Sequence, residues 1–314
     1  MLRILTYHRV AEVDEAAPFD PRLISATPQV FEQQVRHLAR HYRVIGTEQL
    51  LDWLERGIPL PSRAVLITFD DAYRDFASTA WPILSRYGLP ATLFVPTAYP
   101  DQPQHLFWWD RLHRAFDRAT VDRLETSFDG WLPLRTSADR RESHRRVREL
   151  VKTAPHRTAM ERVDEVCSSL GQTAGWDNGV LGWDELRRLA GEGVTLGAHT
   201  RTHPFLDRLD PEEIAEEIVG SREDLFRETG SSTPIISYPD GVHDVDVLRI
   251  ARATGFVLGF TTLDGLNDLS TDNRLQLRRT NITRRTSAVL FRMRMLKPFA
   301  RVDAWRHRNR EVRV

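Results

Sequence analysis

The sequence predicts a parallel α/β barrel, closed or nearly closed, with a helical subdomain inserted in its middle. Three observations carry that reading. Short runs of β-branched and large apolar residues alternate with segments of helical spacing, joined by short connections, which is the pattern of parallel βα units. Residues able to do chemistry fall at the C-terminal ends of several runs, where barrels of this kind carry function. From about residue 101 to 180 the alternation stops, then resumes.

Taken in order, Leu2 to Tyr7 reads as a first buried strand. Residues 11–26 read as loop, broken by Pro18 and Pro21. Thr27-Pro28 offers an N-cap and a proline at the first helical position, and Phe31, Val35 and Leu38 give the helical stripe. Tyr42 to Gly46 is a short strand, Thr47 to Arg56 a helix stopped by Gly57. The run Ala64 to Phe69 is apolar enough to be buried on both faces. Phe76 to Tyr87 is helical in pattern, and Ala91 to Val95 is the next strand.

The 101–180 stretch holds Arg/Glu-rich helical segments, marked by Leu112 and Phe116 in one and Val147, Leu150 and Val151 in another, and no strand is expected there. Trp108, Trp109, Trp131 and Trp176 lie in or beside it. They are expected to pack the insertion's own small core, with stacking on sugar rings as the alternative. The alternation then continues through Trp183–Ala190, Val194–Ala198, Pro211–Thr229, Ile235–Tyr238, Val245–Thr254, Phe256–Thr261 and Leu275–Ile282. The division expected is a split barrel over 1–100 and 181–290, an insertion over 101–180, and an Arg-rich tail over 291–314 forming a surface helix.

Composition sets the limits. The chain has 314 residues, 28% charged and 41% hydrophobic, with zero formal net charge, so a folded soluble chain is expected and nothing favours nucleic acid or an anionic membrane as partner. The single cysteine, Cys167, excludes an intrachain disulfide and a Cys-rich zinc site, and reads as a small core residue. No run approaches the ~20 apolar residues of a membrane span. The start is too short in apolar length for a secretion signal, so a cytoplasmic location is the expectation. Lysine occurs only at Lys152 and Lys297, which reads as compositional bias.

The chemistry concentrates at strand ends. Asp70 and Asp71 follow the most apolar run directly. Two carboxylates there cannot share its burial without a cation, because unpaired buried charge costs several kcal/mol. His199 and His203 follow another strand, four residues apart, and one helical turn would put them on one side. Imidazole with carboxylate suits zinc or a similar divalent ion, and three ligands leave positions open, as catalytic sites do. Asp240, in Pro239-Asp240-Gly241, stands at a further strand end, in standard turn chemistry.

These residues carry a resemblance. Thr68-Phe69-Asp70-Asp71, the His199–His203 pair and Tyr238-Pro239-Asp240-Gly241, in that order, resemble the leading motifs of the polysaccharide deacetylases, the NodB-homology or carbohydrate esterase family 4 enzymes. Tyr7-His8-Arg9-Val10 and Leu277-Arg278-Arg279 resemble segments of its bacterial branch. The resemblance implies a deformed (β/α)7-type barrel and hydrolysis of an N-acetyl group from an amino sugar, releasing acetate. It implies Asp71, His199 and His203 as metal ligands, most simply for Zn²⁺, and Asp70 as the general base that activates a water whose pKa the ion lowers toward ~7. Tyr238, Pro239, Asp240 and Gly241 take the substrate and oxyanion position, with a backbone N–H near Asp240 as donor. Ser237 stands where the family's third motif often carries an orienting arginine, and Arg279 is the candidate replacement. The usual C-terminal His-Asp motif of the general acid is missing, so His8, and behind it His243, is the candidate. Two other functions fit the same residues: an amidase on a non-sugar C–N bond, or a catalytically reduced member that binds glycan.

Overall fold

In the computed structural model the described residues are 1–13, 19–171 and 177–296. Strand β1 (Arg3–Tyr7) is followed by a small ribbon, β2 (Arg9–Val10) beside β3 (Ile24–Ala26), then helix α1 (Pro28–His41). β4 (Arg43–Ile45) and α2 (Thr47–Arg56) lead to β5 (Ala64–Phe69). A π-helical turn, Phe76–Ala80, runs into α3 (Trp81–Arg86), and β6 (Thr92–Val95) follows. The middle of the chain holds α4 (Trp108–Asp117), the hairpin β7 (Arg123–Thr126) and β8 (Gly130–Pro133), α5 (Ser137–Lys152) and α6 (His156–Ser169). Then come α7 (Trp183–Gly191), β9 (Thr195–Ala198), α8 (Pro211–Thr229), β10 (Ile235–Ser237), α9 (Val245–Ala253), β11 (Leu258–Phe260), β12 (Thr280–Asn281) and α10 (Ala288–Arg294).

Every residue of β5 is buried, and so is every residue of β1 beside it. Apolar side chains on both faces need cover on both faces, which a wrapped parallel sheet supplies. The strands run in the order β11-β10-β9-β6-β5-β1-β12, with β4 paired to the first half of β5. The segment before β12 brings the sheet round on itself. Leu277 bridges Phe260 at one edge, and Thr280 pairs with Leu5 at the other. With seven strands on the continuous path and β4 beside it, the result is the deformed barrel that the resemblance implies.

Closure depends on a glycine. At Gly259 in β11 an added Cβ would lie 2.5 Å from the Leu275 carbonyl oxygen and 2.4 Å from the Tyr238 hydroxyl. Only a residue without a side chain lets the closing segment approach this near.

The α1 signal acts as predicted, and α8 adds a cap that the sequence analysis did not name. Thr27 caps α1 by accepting from the Val30 N–H. Asp210 and Glu213 form a reciprocal box at the start of α8, whose end is a left-handed Gly230.

Two expectations are corrected here. The 101–180 stretch is not strandless, because β7 and β8 pair antiparallel with Leu124 opposite Leu132. These strands are short, β7 alternates exposed Arg123 and Glu125 with buried residues, and β8 buries Leu132 alone, so they lack the apolar run that marks the barrel strands. Nor does the insertion keep a core to itself. Leu112, Phe116, Val147 and Val163 belong to the same continuous core as Tyr7 and Phe69, and Cys167 sits in it too. Trp131 is outside any core, 54% exposed under the Arg123 guanidinium.

The helix near the C-terminus begins at Ala288 rather than Phe291, and Phe291 is buried with its ring edge-on to His37 of α1. Pro18, Trp176 and residues 297–314 lie outside the described residues. Among the described residues no helix is long and apolar enough to cross a membrane.

Gly259→Ala is expected to destabilise the fold by about 2 kcal/mol, the size of an overpacked core position. Urea unfolding of the two proteins measures it, and equal midpoints would show that the closing segment does not need the space.

Candidate active site

The C-terminal end of β5 delivers the two acids. The Asp70 N–H donates to the Tyr7 carbonyl at 3.0 Å, so the ladder with β1 continues one residue past the strand. Asp71 then turns into the left-handed region at φ 70°. Both side chains are buried.

Asp70 has a full partner. Arg279, just before β12 and wholly buried, grips it with two parallel bonds, Nη1 to Oδ1 at 2.8 Å and Nη2 to Oδ2 at 2.7 Å. The same guanidinium donates to the Thr261 carbonyl, the Thr68 hydroxyl and the Ser237 hydroxyl. Burial pushes the Asp70 carboxyl up, but Arg279, with help from His199 and His8, outweighs it and holds it below the usual range. Ser237 therefore serves as an acceptor for an arginine that arrives from elsewhere in the chain.

Asp71 has no such partner. Its Oδ1 is buried without a hydrogen bond, 3.4 Å from His199 Nε2 and 3.4 Å from His203 Nε2. Those distances exceed a normal N–H···O bond. His199 Nδ1 lies 2.7 Å from the Ser237 carbonyl, which can only accept, so Nδ1 carries the proton. In the neutral ring the Nε2 lone pair then faces the carboxylate. Electron-rich atoms turned on one another ask for positive charge between them. The donor atoms of Asp71, His199 and His203 lie within 4.8 Å of one another, and one carboxylate with two imidazoles is a donor set for a borderline divalent ion. The residues fit such an ion. Burial pushes His199 down, yet Asp71 and Asp70 outweigh it and raise its pKa, which marks the same demand for a cation.

No helical turn brings the two histidines together, contrary to the expectation from their spacing. Thr200 and His203 adopt positive φ, 61° and 59°, in a tight loop after β9. Glu217 of α8 clamps this loop, accepting from the N–H groups of Arg201 and Thr202 at 2.8 and 2.9 Å. Among the described residues seven non-glycine residues have positive φ, and Asp71, Ala72, Thr200, His203 and Asp240 all stand here. Such backbone persists where surrounding structure over-determines it, and active sites are where it gathers.

The site opens into a cavity of about 220 Å³. Trp108 and Trp109 form one wall, with Trp109 edge-on to the His203 ring at 4.8 Å and its Nε1 donating to the Tyr73 hydroxyl. Tyr73 is in turn covered by the Arg9 guanidinium, 3.4 Å above its ring, and Arg9 is fixed by Asp75. The two tryptophans are buried in the core that the insertion shares with the barrel, and they border the cavity from it.

A family pattern described as polysaccharide deacetylase matches residues 57–259. The chain belongs to the polysaccharide deacetylase family. YxkH of Bacillus subtilis, named for that family, is 21% identical over 265 residues, covering 84% of this chain and 65% of YxkH. The poly-β-1,6-N-acetyl-D-glucosamine N-deacetylase of Escherichia coli K12 is 32% identical over 100 residues, 32% of this chain and 14% of that one. The chain thus spans less than two thirds of the length of either relative. Among solved structures, the Streptococcus pyogenes deacetylase PplD in complex with acetate superposes at a TM-score of 0.64 with 20% identity, over 94% of this chain and 98% of PplD, a likeness of fold.

Within this polysaccharide deacetylase frame the remaining candidates separate. His8 lines the cavity, half-buried, near enough to help lower both aspartates. Asp240 lines it too, with its carboxylate on Lys152 at 2.7 Å. Tyr238 does not. Its ring is fully buried and its hydroxyl donates to the Leu275 carbonyl, so it packs the barrel and does not line this cavity. Pro239 and Gly241 shape the turn rather than line the site, and a Cβ on Gly241 would lie 2.3 Å from the Thr262 nitrogen. His243 stacks on Tyr238 and meets Gln276, away from the acids.

The sequence reading missed Asp20, Arg22, Arg148 and Lys152, which also line the cavity. Lys152 had a signal, as one of two lysines in an arginine-biased chain, read above as bias.

One buried acid nearby carries a pH dependence. Asp110 accepts the Asp20 N–H at 2.9 Å, and burial raises its pKa from 3.8 to about 6 against the pull of Arg9. A carboxyl whose folded pKa is raised binds extra protons when folded, so its contribution is present below pH 4 and is lost as pH rises to about 6. The loss is on the order of 3 kcal/mol. Asp110→Asn is expected to remove it, so the variant gains on the parent between pH 4 and 7 in denaturant midpoints. Parallel pH curves for the two proteins would reject this assignment.

Proposed function

We propose that this protein is a metal-dependent hydrolase that removes N-acetyl groups from an amino-sugar-containing glycan or glycan precursor, releasing acetate. The observation that carries the reading is an ionised base locked by arginine next to a separate three-donor metal set, both at the floor of one aromatic-walled cavity. The E. coli relative, named as an N-deacetylase of poly-N-acetylglucosamine, supports the substrate class.

In this reading Asp71, His199 and His203 hold the ion, most simply zinc by its taste for imidazole. Bound there, it supplies positive charge that acidifies water and polarises the amide carbonyl. The chain's own residues do the rest. Asp70 takes the proton of the attacking water, and Arg279 keeps its carboxylate ionised and aimed. The N–H groups of Gly241 and Val242 are used inside their own turn, which leaves the Asp240 N–H to meet the developing oxyanion. His8 stands on the cavity wall to protonate the leaving amine. Trp108 and Trp109 offer apolar faces to the sugar ring and keep water from the reacting bond.

In this reading Arg279 orients the base where the family's third motif often carries an arginine and this chain has Ser237, which favours catalysis over binding alone. The function is tested by acetate release from N-acetylglucosamine oligosaccharides with zinc added. No acetate from any N-acetylated sugar, with metal shown bound, would overturn it.

Asp70→Asn is expected to lower kcat by about 10²–10⁴-fold, the usual worth of a general base, while metal content by elemental analysis stays at the parent level. Asp71→Asn is expected to lose the metal itself. Metal lost from the first variant and kept in the second would mean the two acids have exchanged roles. Chelation of the parent protein is expected to abolish acetate release, with recovery on adding zinc back. Activity that survives verified metal removal would exclude a metal-dependent step.

A further inference from the structure

Each acid on the cavity wall has its own positive charge. Arg22 holds Asp20 through Nε at 2.9 Å and Nη2 at 2.6 Å. Lys152 holds Asp240, Arg279 holds Asp70, and the donor set of Asp71 calls for the ion. One cation is left over. Arg148, from α5, lines the cavity, and among the described residues it makes no hydrogen bond and no ion pair. Its Nε is buried without a partner.

The groups around it do not balance it. Burial and the nearby Arg22 push its pKa down, while Asp20, Glu149 and Asp240 act on it only through space. His144, one turn earlier on the same helix, cannot help. Burial and Arg22 hold it down to about 3, so it is neutral. A half-buried guanidinium without a counter-ion is costly to keep, and its rigid fork of donors matches carboxylate or phosphate oxygens. Lys152 lies four residues on, on the same face of α5, and its partner Asp240 is 45% exposed, so that ion pair is open to exchange.

We propose that Arg148, with Lys152 beside it, forms an anion subsite, and that the N-acetylated sugar taken by this protein carries a carboxylate or phosphate group within reach of α5. The inference rests on the deacetylase reading above and adds the charge class of the substrate. It also gives the insertion a task, since α5 belongs to it and the metal set does not.

The test compares kcat/KM for acetate release from three N-acetylglucosamine substrates: a neutral oligosaccharide, one alternating with uronic acid, and one bearing a phosphodiester. It uses the zinc-loaded full chain, Arg148→Met, which keeps most of the stem, and Arg148→Lys, which keeps a point charge. The parent protein is expected to prefer one anionic substrate by about tenfold or more, the worth of one charge-assisted hydrogen bond. Arg148→Met is expected to lose that preference and Arg148→Lys to keep part of it. The favoured arm assigns carboxylate or phosphate. Equal values for all three substrates, or an equal drop on all three in Arg148→Met, overturns the subsite and leaves deacetylation standing. If no substrate releases acetate, the deacetylase reading falls, and calorimetric binding of the same three sugars decides the subsite: binding of the neutral one as tightly as the others overturns it.

Discussion

Two carboxylates stand side by side at the end of a strand that is buried on both faces, and both are themselves buried. Burial alone would drive each toward its neutral form. Instead each is supplied with positive charge by a different route. Arg279 gives Asp70 a fixed guanidinium, and two imidazoles with room for an ion answer Asp71. The separation matters for chemistry. An acid committed to a metal cannot take a proton, and an acid committed to a fixed arginine can.

Much of the barrel is arranged to meet that demand. Arg279 reaches Asp70 because the closing segment crosses Gly259 at a distance no side chain allows. The histidines meet Asp71 because the loop after β9 is held in left-handed turns by Glu217. Ser237 at the end of β10 serves both halves, its hydroxyl accepting from Arg279 and its carbonyl from His199. The insertion adds the walls, aromatic from α4 and cationic from α5, and its apolar residues merge into the barrel's own core. A shared core ties those walls rigidly to the site, where a separately packed subdomain would be free to move.

Asp70, Asp71, His199 and His203 were legible because each pair is contiguous or nearly so, and because acids after an apolar run are conspicuous. The barrel strands were legible for the same reason, since burial on both faces leaves an unbroken apolar stretch. The hairpin Arg123–Pro133 was not, because β7 interleaves charge with leucine and β8 buries a single residue. Tyr238 and His243 sit next to a strand end, and sequence cannot tell which side of that end faces the cavity. Their rings stack on each other and pack away from it. Arg148 could not be singled out among so many arginines, since what distinguishes it is a place on the cavity wall with a buried Nε that has no partner among the described residues.

The order of strands and helices, the donor types and their placement at strand ends are local properties, and the amino-acid order carries them directly. Which cation faces which acid is a different kind of fact. Asp70 and Arg279 lie 209 residues apart, and whether they touch depends on barrel closure, on a glycine and on the twist of the sheet. Hydrogen bonds need contact and charge pairs weaken with distance, while positions along the chain say nothing about distances across it. Folding therefore decided the pairing of charges, and with it which cavity-lining arginine has no partner among the described residues.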